Sequence, residues 1–307
     1  MNILLTGAAG QLGSELLPLL SARGTVIATD RRRPGSAPGT WVEMDIANGV
    51  ELESLLTRSQ PDLIVNTAAY TAVDQAEQDP DTAYAVNAEL PGRLASWAKK
   101  NNAPLIHYST DYVFDGKVTR PYRESDVPAP QNVYGASKLA GEQAIESSGC
   151  EHITLRTSWV YSSHGKNFVL SMLDLARRGV SLKVVNDQRG CPTWAGNLAR
   201  TSNAVIEEWQ SAGIKNRSGL FHYCDDTPVS WYEFARMIFS CALRAGLLET
   251  EPELAPVPGA EFPQPAKRPE WSILSTSKIE RIFNIHPASC KQSIETVMDE
   301  IATREIV

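Results

Sequence analysis

The chain has 307 residues, 42% of them hydrophobic, enough to bury a large core and more than one small domain needs. It carries 29 Lys and Arg against 36 Asp and Glu, a net charge of −7 with no long basic run, which argues against nucleic-acid binding and against anionic-membrane binding. No apolar run approaches the ~20 residues of a membrane span, Met1 to Thr6 holds no basic leader, and the five cysteines form no Cys-x-x-Cys pair. These features predict a soluble, cytoplasmic protein with reduced cysteines and no structural zinc.

The first strand is read at Asn2 to Thr6. It runs at once into Gly7-Ala8-Ala9-Gly10-Gln11-Leu12-Gly13 and then into the helical spacing Leu12, Leu16, Leu17, Leu20. A strand, a glycine turn and a helix N-terminus in that order place backbone N–H groups where they can receive a pyrophosphate. Gly7, Gly10, Gln11, Leu12 and Gly13 are the candidate contacts; the competing reading is a tight turn whose glycines serve close packing only. A second strand, Thr25 to Thr29, ends in Asp30, roughly twenty residues past the first glycine, where a carboxylate can accept from the hydroxyls of an adenosine ribose. Arg31-Arg32-Arg33 follow. Arg31 can instead face a 2′-phosphate, so the choice between NADH and NADPH stays open.

Trp41 to Met44 reads as a third strand ending in Asp45-Ile46, a pair placed to flank an adenine. Leu63 to Asn66 reads as a fourth, opening into Thr67-Ala68-Ala69-Tyr70-Thr71. The small residues let backbone approach a dinucleotide closely, so Ala68, Ala69 and Tyr70 join the cofactor set. A helix from about Asp81 to Lys100 carries Asn87, which either ties neighbouring backbone or touches ligand. Pro104 to Tyr108 reads as a fifth strand ending in Ser109-Thr110-Asp111. Strands alternating with helices predict an α/β fold, a Rossmann-type doubly wound parallel sheet with ligands at the carboxyl ends of its strands.

Tyr134 and Lys138 stand four apart at the start of the next helix and so share a face. A fixed ammonium beside a phenol favours the phenolate and draws a pKa of ~10 toward the working range, which makes the pair a candidate general acid. The spacing alone is weak, because Tyr-x-x-x-Lys also occurs on exposed helices. With Thr110 at the end of a buried strand it becomes a hydroxyl, phenol and ammonium trio suited to reducing a ketone: the cofactor carries the hydride chemistry and the protein protonates the alkoxide.

With these residues in this order, the chain resembles the short-chain dehydrogenase/reductase superfamily in its extended form. Thr6 to Gly13 match its nucleotide motif, Ser109-Thr110 its hydroxyl position, and Tyr134 to Lys138 its catalytic pair. Within it, Asn66 to Glu77 (NTAAYTAVDQAE), Ser109 to Gly116 (STDYVFDG), Arg156 to Tyr161 (RTSWVY), Asn186 to Thr193 (NDQRGCPT) and Arg268-Pro269 ahead of Leu274 make the chain similar to the dTDP-4-dehydrorhamnose reductases over nearly its whole length. The resemblance implies reduction of the 4-keto group of dTDP-4-dehydro-L-rhamnose with NADPH or NADH. Tyr134 would donate the proton, Lys138 would lower its pKa and hold the nicotinamide ribose, and Thr110 would bond the carbonyl oxygen. The implied substrate site is Val73, Thr110, Asp111, Tyr112, Trp159, Arg189, Pro192 and Thr193, with Trp159 as a flat apolar face for the sugar and Arg189 as a diphosphate contact. Some members of the family hold a divalent ion such as Mg2+ at a dimer interface through acidic residues near the position of Ala195-Gly196. Trp194-Ala195-Gly196-Asn197 offers no carboxylate, so no metal is assigned, and a monomer or a homodimer is expected.

Residues 1–157 are expected to form the dinucleotide-binding domain and 158–307 mainly a smaller, α-rich sugar-nucleotide-binding domain, with part of about 194–225 returning to the first. Gly219 to Tyr223 reads as a short strand, Trp231 to Ala245 as an amphipathic helix, and Glu251 to Pro269 as a proline-rich loop without regular structure. Two other functions share these motifs. One is a sugar-nucleotide epimerase or dehydratase of the same superfamily; the other is a non-catalytic regulatory subunit like the beta subunit of methionine adenosyltransferase. The complete Thr110, Tyr134, Lys138 set speaks against the second.

Overall fold

The structure, a computed structural model, describes residues 1–35, 39–213 and 217–306. Seven strands form one parallel sheet: β1 (Asn2–Thr6), β2 (Thr25–Asp30), β3 (Thr40–Glu43), β4 (Leu63–Asn66), β5 (Leu105–Thr110), β6 (His152–Thr157) and β7 (Gly219–His222), in the order β7-β6-β5-β4-β1-β2-β3. The chain steps outward from β1 to β3, crosses back to β4 and continues to β7. The direction of winding thus reverses between β1 and β4, and the crevice at their carboxyl ends is where such sheets bind ligands.

The central strands are apolar on both faces because helices cover both. Ile3, Leu5, Val65 and Ile106 face a layer built from α1 (Gln11–Ser21), α6 (Ala195–Ala212) and the short helix Ser277–Phe283, packing with Leu16, Leu20, Leu198, Val205, Ile279 and Phe283. Leu4, Ile64 and Leu105 face the opposite layer of α2 (Gly49–Ser59), α3 (Leu90–Asn101) and α4 (Val133–Ser148), with Leu52, Leu56, Leu94 and Ile145. The second half of the chain therefore contributes α6, β7 and the helix Ser277–Phe283 to the first layer system. Its remainder forms a separate core, in which α5 (Phe168–Arg177), α7 (Trp231–Arg244) and α8 (Cys290–Ile306) enclose Val169, Met172, Phe234, Ile238, Ile294 and Val297. α7 begins with a reciprocal cap: Glu233 N–H donates to Ser230 Oγ over 3.1 Å and Ser230 N–H to Glu233 Oε2 over 2.8 Å. Among the described residues no helix is long and apolar enough to cross a membrane.

Two segments differ from the sequence expectation. The helix expected from Asp81 to Lys100 is broken into Pro80–Tyr84, a π-turn at Ala85–Glu89 and α3. Pro91 has no N–H to give the Asn87 carbonyl four residues earlier, so the ladder slips by one residue. The displaced carbonyl presses on α4 at Gly141, where a Cβ would lie 2.1 Å from it. The proline-rich segment is also not wholly irregular. Leu254–Val257 pairs in parallel with Leu182–Val185, and Pro256 is tolerated there because it lies exposed on a two-stranded edge.

One buried ion pair ties the layers together. Arg156 on β6 donates through Nε and Nη2 to the two carboxylate oxygens of Glu142 on α4, over 2.9 and 2.6 Å, while the Ser109 hydroxyl of β5 donates to the same carboxylate. The guanidinium also lies over the Phe114 ring, 5.0 Å from its centre. Replacing Arg156 with Met leaves Glu142 buried without its cation, which costs about 3–5 kcal/mol for pairs of this kind. Urea unfolding of Arg156→Met should show that loss, and a variant as stable as the parent would mean that the pair contributes nothing.

Candidate active site

The glycine turn is shaped by contacts that no other residue permits. Gly7 has φ +67°, and a Cβ there would lie 2.6 Å from the Ala68 nitrogen; a Cβ on Gly13 would lie 2.2 Å from the Gly7 carbonyl oxygen. α1 begins at Gly10 with no side chain capping its first N–H groups and no acid in its first turn. Those donors and the missing side chains form a cradle for a diphosphate. Asp30 Oδ2 accepts the Ala9 N–H at 3.0 Å and Oδ1 the Arg31 N–H at 2.7 Å, so its carboxylate fastens the turn to the end of β2. Arg31 is exposed beside it. Asp45 is exposed and accepts from the Ala47 N–H, while Ile46 packs partly into the core beneath α2. Leu12 faces the core as well as the turn.

The strip after β4 is held from behind. Asn87 Oδ1 accepts the Tyr70 N–H at 2.9 Å, and its Nδ2 donates to the Tyr70 carbonyl and to Ser137 Oγ, each at 3.0 Å. One amide therefore joins Ala68-Ala69-Tyr70 to α4, the helix that carries Tyr134 and Lys138. Asn132 starts that helix by accepting the Gly135 N–H at 2.7 Å.

Thr110, Tyr134 and Asp111 come together at the carboxyl end of β5. Burial raises the Tyr134 phenol to about 12, opposed by a hydrogen bond with Thr110 and reinforced by the Asp111 charge. Its ring meets Tyr112 edge-on, 5.7 Å between centres. Thr110 Oγ1 donates to Asp111 Oδ1 at 3.1 Å. Asp111 Oδ2 makes no hydrogen bond of good geometry; Ser272 is near enough to ease the charge, and burial still pushes the carboxyl from 3.8 to about 7. Lys138 departs from expectation. Its ammonium donates to the Tyr108 carbonyl at 2.6 Å and approaches His107 Nε2 at 3.4 Å instead of bonding the phenol, because a buried cation takes the acceptor offered by β5. Burial lowers Lys138 to about 8, against the favourable charge of Glu142.

The expected substrate residues are placed unevenly. Val73 starts the short helix Val73–Ala76, and Arg268 joins that helix to Tyr112: its Nη2 bonds Asp74 Oδ2 at 2.7 Å and its guanidinium lies 5.8 Å from the Tyr112 ring centre. Trp159 does not offer two free faces. It stacks on Trp231 at 3.5 Å and 7°, its ring occupies the space of a Cβ on Gly190, and its backbone has φ 49°. Arg189 Nη2 donates to Glu233 Oε2 at 3.0 Å, a carboxylate presented by the first turn of α7. Pro192 and Thr193 are buried, and the Thr193 hydroxyl donates to the Cys191 carbonyl at 3.3 Å.

Sequence reasoning placed a glycine-bearing loop ahead of Phe168 but missed its contact with α1. Gln11 Oε1 accepts from Ser162 Oγ at 3.0 Å and from Asn167 Nδ2 at 2.9 Å, and Ser14 Oγ pairs with His164 Nε2 at 2.5 Å. This loop therefore roofs the start of α1. Asn167 also caps α5 through the Leu170 N–H, and an Asn directly before the apolar run Phe168-Val169-Leu170 was the available signal.

A glycine cradle at a topological switch point, with a hydroxyl, a phenol and a buried lysine at the next strand end, defines a nucleotide-dependent oxidoreductase of the short-chain dehydrogenase/reductase type. The model of the family described as RmlD substrate binding domain matches residues 1–303, and the chain belongs to that family. It is 38% identical over 304 residues to the dTDP-4-dehydrorhamnose reductase of Escherichia coli K12, covering 99% of both chains. It is 39% identical over 289 residues to that of Burkholderia thailandensis, covering 93% of this chain and 94% of the relative. Among solved structures, a dTDP-4-dehydrorhamnose reductase of Clostridium acetobutylicum superposes with a TM-score of 0.87 at 36% identity over 98% of this chain and 99% of that one. The Bacillus anthracis enzyme in complex with NADP gives 0.86 at 33% identity, over 97% and 99%.

The Asp111 carboxyl yields a test by pH. Its folded pKa stands above its unfolded one, so the folded chain holds this proton more tightly, and the stability it contributes is lost as pH rises from about 4 toward about 7. Asp111→Asn removes that dependence. Urea midpoints of the variant relative to the parent should therefore rise in its favour between about pH 4 and about pH 7.5. A difference that stays constant across the range would contradict the shift.

Proposed function

We propose that this chain reduces the 4-keto group of dTDP-4-dehydro-L-rhamnose to give dTDP-L-rhamnose, with NADPH or NADH as cofactor. The observation that carries the reading is the Thr110 and Tyr134 hydroxyl pair at the end of β5, beside the Gly7 to Gly13 cradle and above a buried Lys138. Membership in a family whose relatives are dTDP-4-dehydrorhamnose reductases supports it. The cradle fits the cofactor diphosphate, and Ala68 to Tyr70, Asp30 and Arg31 fit its two ends. When bound, the reduced nicotinamide supplies the hydride to the carbonyl carbon.

The chain's own residues do the rest. With substrate in place, the single Thr110 hydroxyl proton turns from Asp111 Oδ1 to the ketone oxygen, beside the Tyr134 hydroxyl. Tyr134, with a pKa of about 12, enters each cycle protonated and gives its proton to the alkoxide oxygen. As that proton leaves, Lys138 on the same helical face favours the phenolate. Asp111, whose carboxyl burial pushes up to about 7, is protonated below neutrality and can then donate a hydrogen bond to a sugar hydroxyl without repelling the diphosphate. The Trp159–Trp231 stack and the Val73 to Tyr112 border exclude water from the sugar.

Mixing the protein with dTDP-4-dehydro-L-rhamnose and either reduced cofactor should bleach the nicotinamide absorbance and yield dTDP-L-rhamnose; no turnover with either cofactor would overturn the reading. Tyr134→Phe should lower kcat by ~10²- to 10⁴-fold while leaving cofactor affinity unchanged. A variant keeping most of its kcat would remove Tyr134 from the acid role.

Cofactor choice is set by opposed charges. Asp30 favours a free 2′-hydroxyl and exposed Arg31 a 2′-phosphate, and solvent screening keeps either from dominating. The two cofactors should differ in kcat/KM by less than about a hundredfold, or ~2.8 kcal/mol. Asp30→Ala should move the ratio toward NADPH and Arg31→Ala toward NADH. If neither substitution moves it, the ribose is read by other residues.

A further inference from the structure

Beneath the site, four side chains form a hydrogen-bonded line across three adjacent strands and into α4. Thr6 Oγ1, at the end of β1, donates to Asn66 Oδ1 at the end of β4 over 2.6 Å. Asn66 Nδ2 lies 3.0 Å from His107 Nδ1 on β5, and His107 Nε2 lies 3.4 Å from Lys138 Nζ. Thr6 is 0% exposed, Asn66 1%, His107 0% and Lys138 2%, so bonds within the line decide where its protons sit.

The line has a direction. Because Asn66 Oδ1 receives the Thr6 proton, the same amide presents a donor, Nδ2, to His107. Nδ1 must then be the lone-pair nitrogen, and a neutral imidazole with a bare Nδ1 carries its proton on Nε2, the atom that faces Lys138. An imidazolium is disfavoured, since burial, Lys138 and His152 together hold His107 well below the usual histidine range. An N–H confronting an ammonium leaves two donors without an acceptor, whereas a neutral amine can accept from it.

The other groups around Lys138 do not reverse this. Glu142, one turn on along α4, favours the ammonium, but both its oxygens are bound by Arg156 of β6. Asn87 from the π-turn is neutral and bonds Ser137, and Glu77 accepts the Val133 N–H at the start of the helix. Tyr134 lies one turn before Lys138, and Asp111 acts on Tyr134 at the strand end.

We propose that His107 is a positioning residue for the reduction: fixed by Thr6 and Asn66 with its Nε2–H toward Lys138, it sets the pH at which the lysine beside Tyr134 carries its charge. The role in catalysis rests on the reductase reading above; the tautomer and its effect on the lysine do not.

The proton position can be read directly in the protein without substrate. Long-range ¹H–¹⁵N correlation spectra of histidine-labelled protein should show His107, identified by its absence in His107→Gln, with a protonated Nε2 and a bare Nδ1. An Nδ1–H tautomer or an imidazolium at neutral pH would overturn the proposal. Asn66→Asp supplies the second arm. Its carboxylate accepts an Nδ1–H, which turns the Nε2 lone pair toward the ammonium and raises the Lys138 titration, followed at its Cε shift, by about one pH unit or more. The alkaline limb of kcat should move upward with it, because the lysine charge persists to higher pH. An unmoved lysine titration and an unmoved limb in a folded variant would show that His107 only fills space. Absence of turnover by the parent would sink the reductase reading and leave the tautomer and the lysine titration to decide this one.

Discussion

The site depends on a cation kept out of water. Lys138 is buried under the first turns of α4, where an ammonium survives only if acceptors reach it. The Tyr108 carbonyl supplies one and Glu142 a favourable field, and both are themselves fixed: the carbonyl by its strand, the carboxylate by Arg156 and Ser109. Lys138 therefore binds α4 to β5, Glu142 one turn on binds it to β6 through Arg156, and Tyr134 rides on the helix so anchored. The positions of the phenol and of the Thr110 hydroxyl follow from one buried charge and the groups that neutralise it.

A second constraint is that the cofactor cradle and the second half of the chain must keep a fixed distance. Gln11 and Ser14, in the first turn of α1, are bonded to Ser162, His164 and Asn167, and Asn167 in turn caps α5. The turn that would receive a diphosphate is thus roofed by the segment that leads into the second core. Across the crevice, Arg268 reaches from the far end of the chain to Asp74 and Tyr112. The two cores are stitched on both sides of the place where substrate and cofactor would meet.

How much of this is legible in the sequence depends on the range of the interaction. The sheet is readable because buried parallel strands appear as short apolar runs, and the cradle because glycines between a strand and a helix leave few alternatives. The i,i+4 relation of Tyr134 and Lys138 is readable for the same local reason. What the ammonium bonds is not, because Tyr108 and His107 reach it through strand register, and the Glu233 partner of Arg189 is not, because it lies on a helix forty-odd residues on. That Trp231 stacks on one face of Trp159 is equally illegible, since nothing local announces it. The break in the helix near Asn87 was available in principle, in Pro91, but its use of the freed carbonyl against Gly141 is tertiary.

Asp30 serves structure, and under the proposed function it would serve recognition as well. A carboxylate has about four lone-pair sites, and two here accept the Ala9 and Arg31 N–H groups. The Ala9 bond fixes the turn, so the carboxylate is oriented before any ribose arrives, and its remaining lone pairs are left for hydroxyls. The same bonds draw electron density from the carboxylate and weaken its repulsion of a phosphate. Arg31, whose N–H is one of those donors, starts its side chain at that point. Under the proposed function, a single backbone arrangement thus brings together the group that would favour one cofactor's free hydroxyl and the group that would favour the other's phosphate at the end of β2.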